Sequence, residues 1–272
     1  MREASVRNNV SIVQFLLDYG ADIHAVNEAG DTSLHIAAQS NADKVVQLLL
    51  EAGANASAAN NIRNIPLYHA VCCNADKVFP ILFQINVNPT YSKDVDFLLH
   101  YAVRCSADKI VSLLLTQGVD LNKLDSNGWT LLFLAAERSN EKIISLLLAA
   151  GADANIPTTD SGEFPLCYAV RSRRMNTVKL LLEGGADVNC QGIHNLDTPL
   201  HIAASFLDAD VVKLLLQYNP NVQITDYYGR TALDKVLNRG IISDSSQEII
   251  RLLNDYVDRQ RAVPARDCCV VS

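Results

Sequence analysis

A chain of 272 residues with 49% hydrophobic and 19% charged residues can bury a core and is not a disordered polymer. Aromatics are only 6% and the net charge is -7, from 23 basic and 30 acidic residues, which argues against a β-sandwich and against a general nucleic-acid binder. No apolar run approaches the ~20 residues of a membrane span, and the polar start Arg2–Asn9 is no secretory signal. Seven scattered cysteines without such a signal read as reduced cytosolic thiols.

In chain order, residues 1–26 read as a partial or capping unit in which a Leu-rich helix precedes Gly20-Ala21-Asp22. Met1 aligns with an anchoring leucine whose hairpin is missing, so Arg2–Asn9 is either a cap or the edge of a longer array. Residues 27–225 hold six units anchored by Leu34, Leu67, Leu99, Leu132, Leu166 and Leu200, and residues 226–257 hold a last one anchored by Leu233. The spacings are 33, 32, 33, 34, 34 and 33, a period that chance does not hold through six intervals. Within each unit a Leu-rich second helix runs to a left-handed cap, as at Gly53, Gly118, Gly151 and Gly185, with Asn86 and Asn219 in that place twice. The unit at residues 60–91 is the most degenerate, with Pro80 inside its second helix, and reads as the weakest link. The last unit has an enlarged inter-helix loop at residues 239–246 and a polar second helix suited to a terminal cap.

The units at Thr198-Pro199-Leu200-His201-Ile202-Ala203-Ala204 and Thr32-Ser33-Leu34-His35-Ile36-Ala37-Ala38 resemble the ankyrin repeat, and the resemblance covers residues 10–257. It implies an all-α repeat solenoid, with a helix-turn-helix and a β-hairpin loop in each unit. For function it implies a non-catalytic scaffold or adaptor that binds a partner protein in its concave groove.

The residues themselves offer no enzyme. There is no phosphate-cradling Gly loop, no His-Glu-x-x-His and no Gly-x-Ser-x-Gly, so no catalytic residue, cofactor or metal is expected. His35, His100 and His201 share one unit position and read as structural histidines that bond the next hairpin's backbone. Cys72, Cys73 and Cys105 read as small buried or half-buried thiols. The groove positions following the Ala-Ala pairs bring Arg104, Arg138, Arg171, Arg173 and Arg174 to the centre of an acidic chain, with Trp129 on a fingertip and Phe206 nearby. Trp and Arg are enriched at binding hot spots. Arg104, Arg138 and Arg171 are expected to form a ladder for an extended acidic segment of the partner, met by a monomer and not by nucleic acid. Leu181, Asp187, Val188 and Asn189 resemble the pattern recognised by asparaginyl hydroxylases, with Asn155 and Asn122 as weaker targets.

After Val257 the pattern stops, and residues 258–272 read as a flexible tail ending in Cys269-Val270-Val271-Ser272. The ending matches a Cys-aliphatic-aliphatic-X prenylation signal. A farnesylated Cys269, seconded by a palmitoylated Cys268, would anchor the protein on a cytoplasmic membrane face. The alternative is a fragment of a longer ankyrin array without an anchor, such as a ubiquitin-ligase adaptor or a channel or toxin subunit.

Overall fold

A computed structural model describes residues 1–87, 92–239 and 243–262. The chain divides into two compact units, Met1–Asp125 and Ser126–Ser272. The described residues contain sixteen helices and no strand. None of these helices is long and apolar enough to cross a membrane.

The first unit holds α1 (Arg2–Val6), α2 (Val10–Asp18), α3 (Ser33–Gln39), α4 (Asp43–Glu51), α5 (Pro66–Cys72), α6 (Phe79–Asn86), α7 (Ser92–Arg104) and α8 (Asp108–Leu115). The odd-numbered, inner helices stack in sequence: α1 on α3, α3 on α5, α5 on α7. The anchoring leucines Leu34, Leu67 and Leu99 are buried between them, beside Ala37, Ala38, Ala70 and Ala102, whose small side chains let the helices approach. The polar start is itself helical: α1 and α2 form a helix pair that packs on α3 and α4.

The second unit holds α9 (Leu131–Arg138), α10 (Glu141–Ala149), α11 (Pro165–Arg171), α12 (Met175–Glu183), α13 (Pro199–Ser205), α14 (Ala209–Leu216), α15 (Ala232–Leu237) and α16 (Asp244–Ala262). Again the inner helices stack, α9 on α11, α11 on α13, α13 on α15, and the outer helices α10, α12, α14 and α16 follow in file. Helix α16 continues through residues 258–262, so the tail begins later than the sequence pattern suggests. Its Tyr256 is buried and donates to the Pro220 carbonyl at 3.3 Å.

The described fingers between helix pairs are turns, and three of them are tied to the preceding finger by a backbone bond: Asn61 N–H to the Ala29 carbonyl (3.0 Å), Thr159 N–H to the Gly128 carbonyl (3.1 Å) and Tyr227 N–H to the Asn195 carbonyl (2.9 Å). Gly128 stands at φ +75, and a Cβ there would run into the Thr159 hydroxyl, so the fingertip requires glycine.

Two local expectations change. Pro80 lies in the first turn of α6, where the missing N–H costs nothing, because the outer helix of that unit starts late. Asn86 closes α6 without a left-handed residue, while Asn219 does adopt φ +53. The inner helix α7 also starts seven residues before its anchoring Leu99. A cleft of about 350 Å³ opens beside this degenerate unit, between Phe79, Phe83 and Val87 on one side and Leu113 and Gln117 on the other.

The outer helices differ in how their N-termini are satisfied. In the first unit α4 and α8 have alanine at the N-cap, Ala42 and Ala107, and α6 has Val78. The acceptor comes from one repeat earlier. Asn8 Oδ1 accepts from Val45 N–H (3.2 Å), Asn41 Oδ1 from Lys77 and Val78 N–H (3.0 and 3.2 Å), and Asn74 Oδ1 from Lys109 and Ile110 N–H (3.0 and 3.3 Å). The amide nitrogen of each donates to Asp43, Asp76 and Asp108 in turn. All three asparagines sit at φ near +50, which asparagine tolerates best after glycine. In the second unit α10 and α14 carry their own caps, Asn140 accepting from Ile143 N–H and Asp208 from Val211 N–H.

Candidate functional site

The histidines are structural where the local cap is present. Thr32 and His35 form a capping box: Thr32 Oγ1 accepts from His35 N–H and His35 Nδ1 accepts from Thr32 N–H. This fixes the proton on Nε2, which donates to the Asn64 carbonyl at 3.0 Å. His201 repeats the arrangement with Thr198 and the Arg230 carbonyl (2.9 Å). Burial holds both imidazoles below the ordinary histidine value. His100 departs from the expectation. It lies inside α7 with no threonine before it, its Nδ1 bonds the Asp96 carbonyl one turn back, and its buried Nε2 meets no partner among the described residues.

Asp31, His35 and His69 bring three ligand atoms within 4.8 Å. The donor set does not suit a metal, because both His35 nitrogens are already committed and Asn60 Nδ2 donates to both Asp31 Oδ1 and His69 Nε2. Burial pushes the Asp31 carboxyl up, and hydrogen bonds from Asn60 and Asn27 more than reverse it.

The nominated binding residues fall into both units. Arg104, at the end of α7 in the first unit, pairs with Asp125 at 2.8 Å. The other six lie in the second unit. Trp129 is half-buried and starts an aromatic row, its ring 5.3 Å from Phe133, which is 5.3 Å from Tyr168. A Thr158 hydrogen bond, aided by Ser161 and Trp129, holds the Asp160 carboxyl low. Arg138 closes α9 beside Glu137 (3.1 Å), and Arg171 closes α11 beside Glu163 (2.9 Å). These two are out of register: Arg171 stands five residues past Leu166, but Arg138 six past Leu132. The expected ladder of equivalent positions therefore does not include Arg138, whose matching residue is Ser172.

Arg173 turns over the exposed Phe206 ring (5.9 Å), bonds the Phe206 carbonyl and pairs with Asp208 (3.5 Å). Arg174 points the other way. It donates to the Ala136 and Glu137 carbonyls at the end of α9 and lies over Tyr168 at 5.8 Å. Its guanidinium is occupied by the stack, so Arg174 is a helix C-terminal clamp and leaves the set of groove-facing arginines. A cleft of about 140 Å³ beside Arg171 is framed by Glu163, His194 and Asp197.

Asn189 is half-buried and its Oδ1 accepts from Asn221 N–H at 2.8 Å; Asn155 likewise takes Asp187 N–H at 2.7 Å. Cys268 and Cys269 lie outside the described residues.

Two of the three thiols differ from expectation. Cys72 and Cys73 are exposed and Cys105 is half-buried. Cys72 Sγ lies 3.0 Å from Cys105 Sγ and 2.9 Å from the Tyr101 hydroxyl. A second pair, Cys167 and Cys190, is buried with its sulfurs 3.5 Å apart. Tyr101 had no signal in the sequence, since 29 residues separate it from Cys72.

A family profile described as "Ankyrin repeats (3 copies)" matches residues 1–92 and 99–192, and one described as "Ankyrin repeat" matches residues 195–227. No curated protein matches the chain. With more than half of its length covered, and stacked helix pairs of the expected period, the chain belongs to the ankyrin-repeat family of protein-interaction scaffolds.

Proposed function

We propose that the array is a non-catalytic adaptor that holds an extended acidic segment of a partner protein along the inner-helix ends of its second unit. One observation carries the reading. Arg138, Arg171 and Arg173 keep 48%, 49% and 56% of their side chains open, while the paired Glu137, Glu163 and Asp208 are drawn in to 31%, 20% and 21%. The acids lie beneath and the guanidinium groups face outward, so an acidic ligand meets cations first. Phe206, exposed beneath Arg173, and Trp129 supply apolar surface for an aromatic or aliphatic residue of the same ligand.

Fluorescence anisotropy with an Asp/Glu-rich peptide carrying a central Leu tests the reading. Trp129→Ala is expected to cost ~2 kcal/mol of binding, and Arg171→Lys to weaken it despite the retained charge. Unchanged binding by both variants removes the assignment. Pull-down with the intact chain then identifies the partner.

The membrane part of the proposal rests on the terminal Cys269-Val270-Val271-Ser272: farnesyl on Cys269, with palmitoyl on Cys268 as the second signal that a single lipid requires. Cys269→Ser is expected to move the protein from membrane to soluble fractions in eukaryotic cells. Equal fractionation of both forms refutes it. Asn189 remains the proposed hydroxylation target, read as a mass gain of one oxygen that Asn189→Ala abolishes.

A further inference from the structure

The cysteines of the first unit stand in an arrangement that an interaction scaffold does not need. Cys72 is the last residue of α5, and Cys105 follows the last residue of α7. The two helices are stacked neighbours, and their C-termini bring the sulfurs to 3.0 Å. That is closer than two unbonded sulfurs normally pack and about 1 Å from a disulfide bond. Both residues lie where a helix ends, so the last ångström can be closed by side-chain rotation and a small shift of terminal backbone. Cys72 is exposed and can be reached by a small oxidant.

Three features separate Cys72 from the other thiols. The Cys105 thiol and, less strongly, the Tyr101 hydroxyl hydrogen-bond to its sulfur and draw its pKa down to about 6, against the opposing effect of burial. Cys105 is pushed well up by the same bond, so the pair has one thiolate and one proton-bearing partner. Tyr101 is held by its ring, 5.4 Å from Tyr68 and stacked 6.3 Å from Phe97, with its hydroxyl aimed at Cys72. Cys73, next in sequence and equally exposed, has none of this: burial and the Cys72 charge raise its pKa. Cys167 and Cys190 are also adjacent, but they are buried, and the bond between them together with burial raises Cys167.

We propose that Cys72 and Cys105 are a peroxide-responsive thiol pair, in which Cys72 is oxidised first and Cys105 resolves it to a disulfide that ties α5 to α7. The Cys72 thiolate attacks one oxygen of hydrogen peroxide. The O–O bond breaks, Cys72 becomes a sulfenic acid, and the departing hydroxide takes up a proton and leaves as water. Cys105 then attacks the Cys72 sulfur. The S–S bond forms as the S–O bond breaks, and the released hydroxide takes the Cys105 proton to give a second water. Two electrons pass from the sulfurs to the peroxide, and two thiols and one peroxide give one disulfide and two waters. Tyr101 is a positioning residue that stabilises the attacking thiolate.

The test uses the full chain carrying Cys268→Ser and Cys269→Ser, reduced and then exposed to one equivalent of hydrogen peroxide. Intact mass is expected to fall by two hydrogens, and peptide mapping to place one bridge between Cys72 and Cys105. Cys105→Ser is expected to leave a sulfenic acid on Cys72 that dimedone captures, with helical content by circular dichroism unchanged. Tyr101→Phe is expected to raise the pH at which Cys72 is alkylated by iodoacetamide, while leaving Cys73 unmoved. A bridge at Cys72–Cys73 or Cys167–Cys190, an intermolecular bridge, or equal peroxide reactivity of Cys72 and Cys73 overturns the proposal.

Discussion

The two units differ in how most of their outer helices obtain the same missing hydrogen bonds, apart from α2, which is closed by its own Asn9, and α12, whose N-cap Arg174 supplies no side-chain cap. In the second unit α10 and α14 close their own first turns through Asn140 and Asp208, so each cap belongs to the repeat that uses it. In the first unit α4 and α8 are served from the preceding repeat by Asn8 and Asn74, and the turn that leads into α6 by Asn41. A cap is worth ~1 kcal/mol in either place. In a linear array, however, the first kind is an intrinsic repeat energy and the second an interface energy between neighbours. The first unit therefore places more of its stability in coupling, and the second more in individual repeats.

The largest expected effect comes from removing one of the shared caps. Asn74→Ala deletes two accepted N–H bonds and one donated to Asp108, and leaves alanine at φ +53. The expected loss is about 3 kcal/mol by urea denaturation, with the first unit separating into its own transition. Asn74→Gly relieves the backbone term and should retain about two thirds of the loss. The self-capping counterpart, Asn140→Ala, should cost about 1 kcal/mol without splitting the transition. Equal costs and equal cooperativity for the two would erase the distinction between the units.

Acid acts on both units through one shared device, which sharpens the comparison by serving as its control. His35 and His201 are neutral and buried, each with its folded pKa below the ordinary 6.5. The unfolded state binds the proton more readily, so this stability is full above pH 6.5 and is lost as the pH falls below it. The urea midpoint is expected to drop between pH 7 and 5. Substituting both histidines with Gln should flatten that drop while lowering the midpoint at pH 7.

The smallest effect is expected at the position where the second unit no longer shares its caps. Ser139 occupies the left-handed site of α9 at φ +54. Ser139→Gly should raise stability by about 0.5 kcal/mol, because no neighbour depends on the serine for a cap. The same substitution at Asn41 should destabilise, and differential scanning calorimetry of the two reads the opposite signs.

The repeat frame was legible because burial enforces it. Leu34, Leu67, Leu99, Leu132, Leu166 and Leu200 are all buried, and only the terminal Leu233 is half-open. A residue that must fill the same gap in every repeat writes its period into the chain. Features that join one repeat to the next are less visible, since donor and acceptor lie about one period apart and either can vary alone. Asn-Ala-Asp-Lys recurs at 41–44 and 74–77, and that asparagine was the available signal for the shared caps. The arginine cluster shows the same limit. Arg171, Arg173 and Arg174 look alike in sequence, and only the Ala136 and Glu137 carbonyls 37 or 38 residues earlier decide that Arg174 turns inward.

The shared caps also have a direction in time. Asn8, Asn41 and Asn74 precede the amides they accept by 37, 36 and 35 residues. A ribosome adding roughly 5–20 residues per second delivers each asparagine about 2–7 s before the segment that it caps. The acceptor is thus waiting on an already formed surface when the new helix emerges, and each completed repeat acts as the template for the next. Assembly from the opposite end would present α8 and α4 with open first turns.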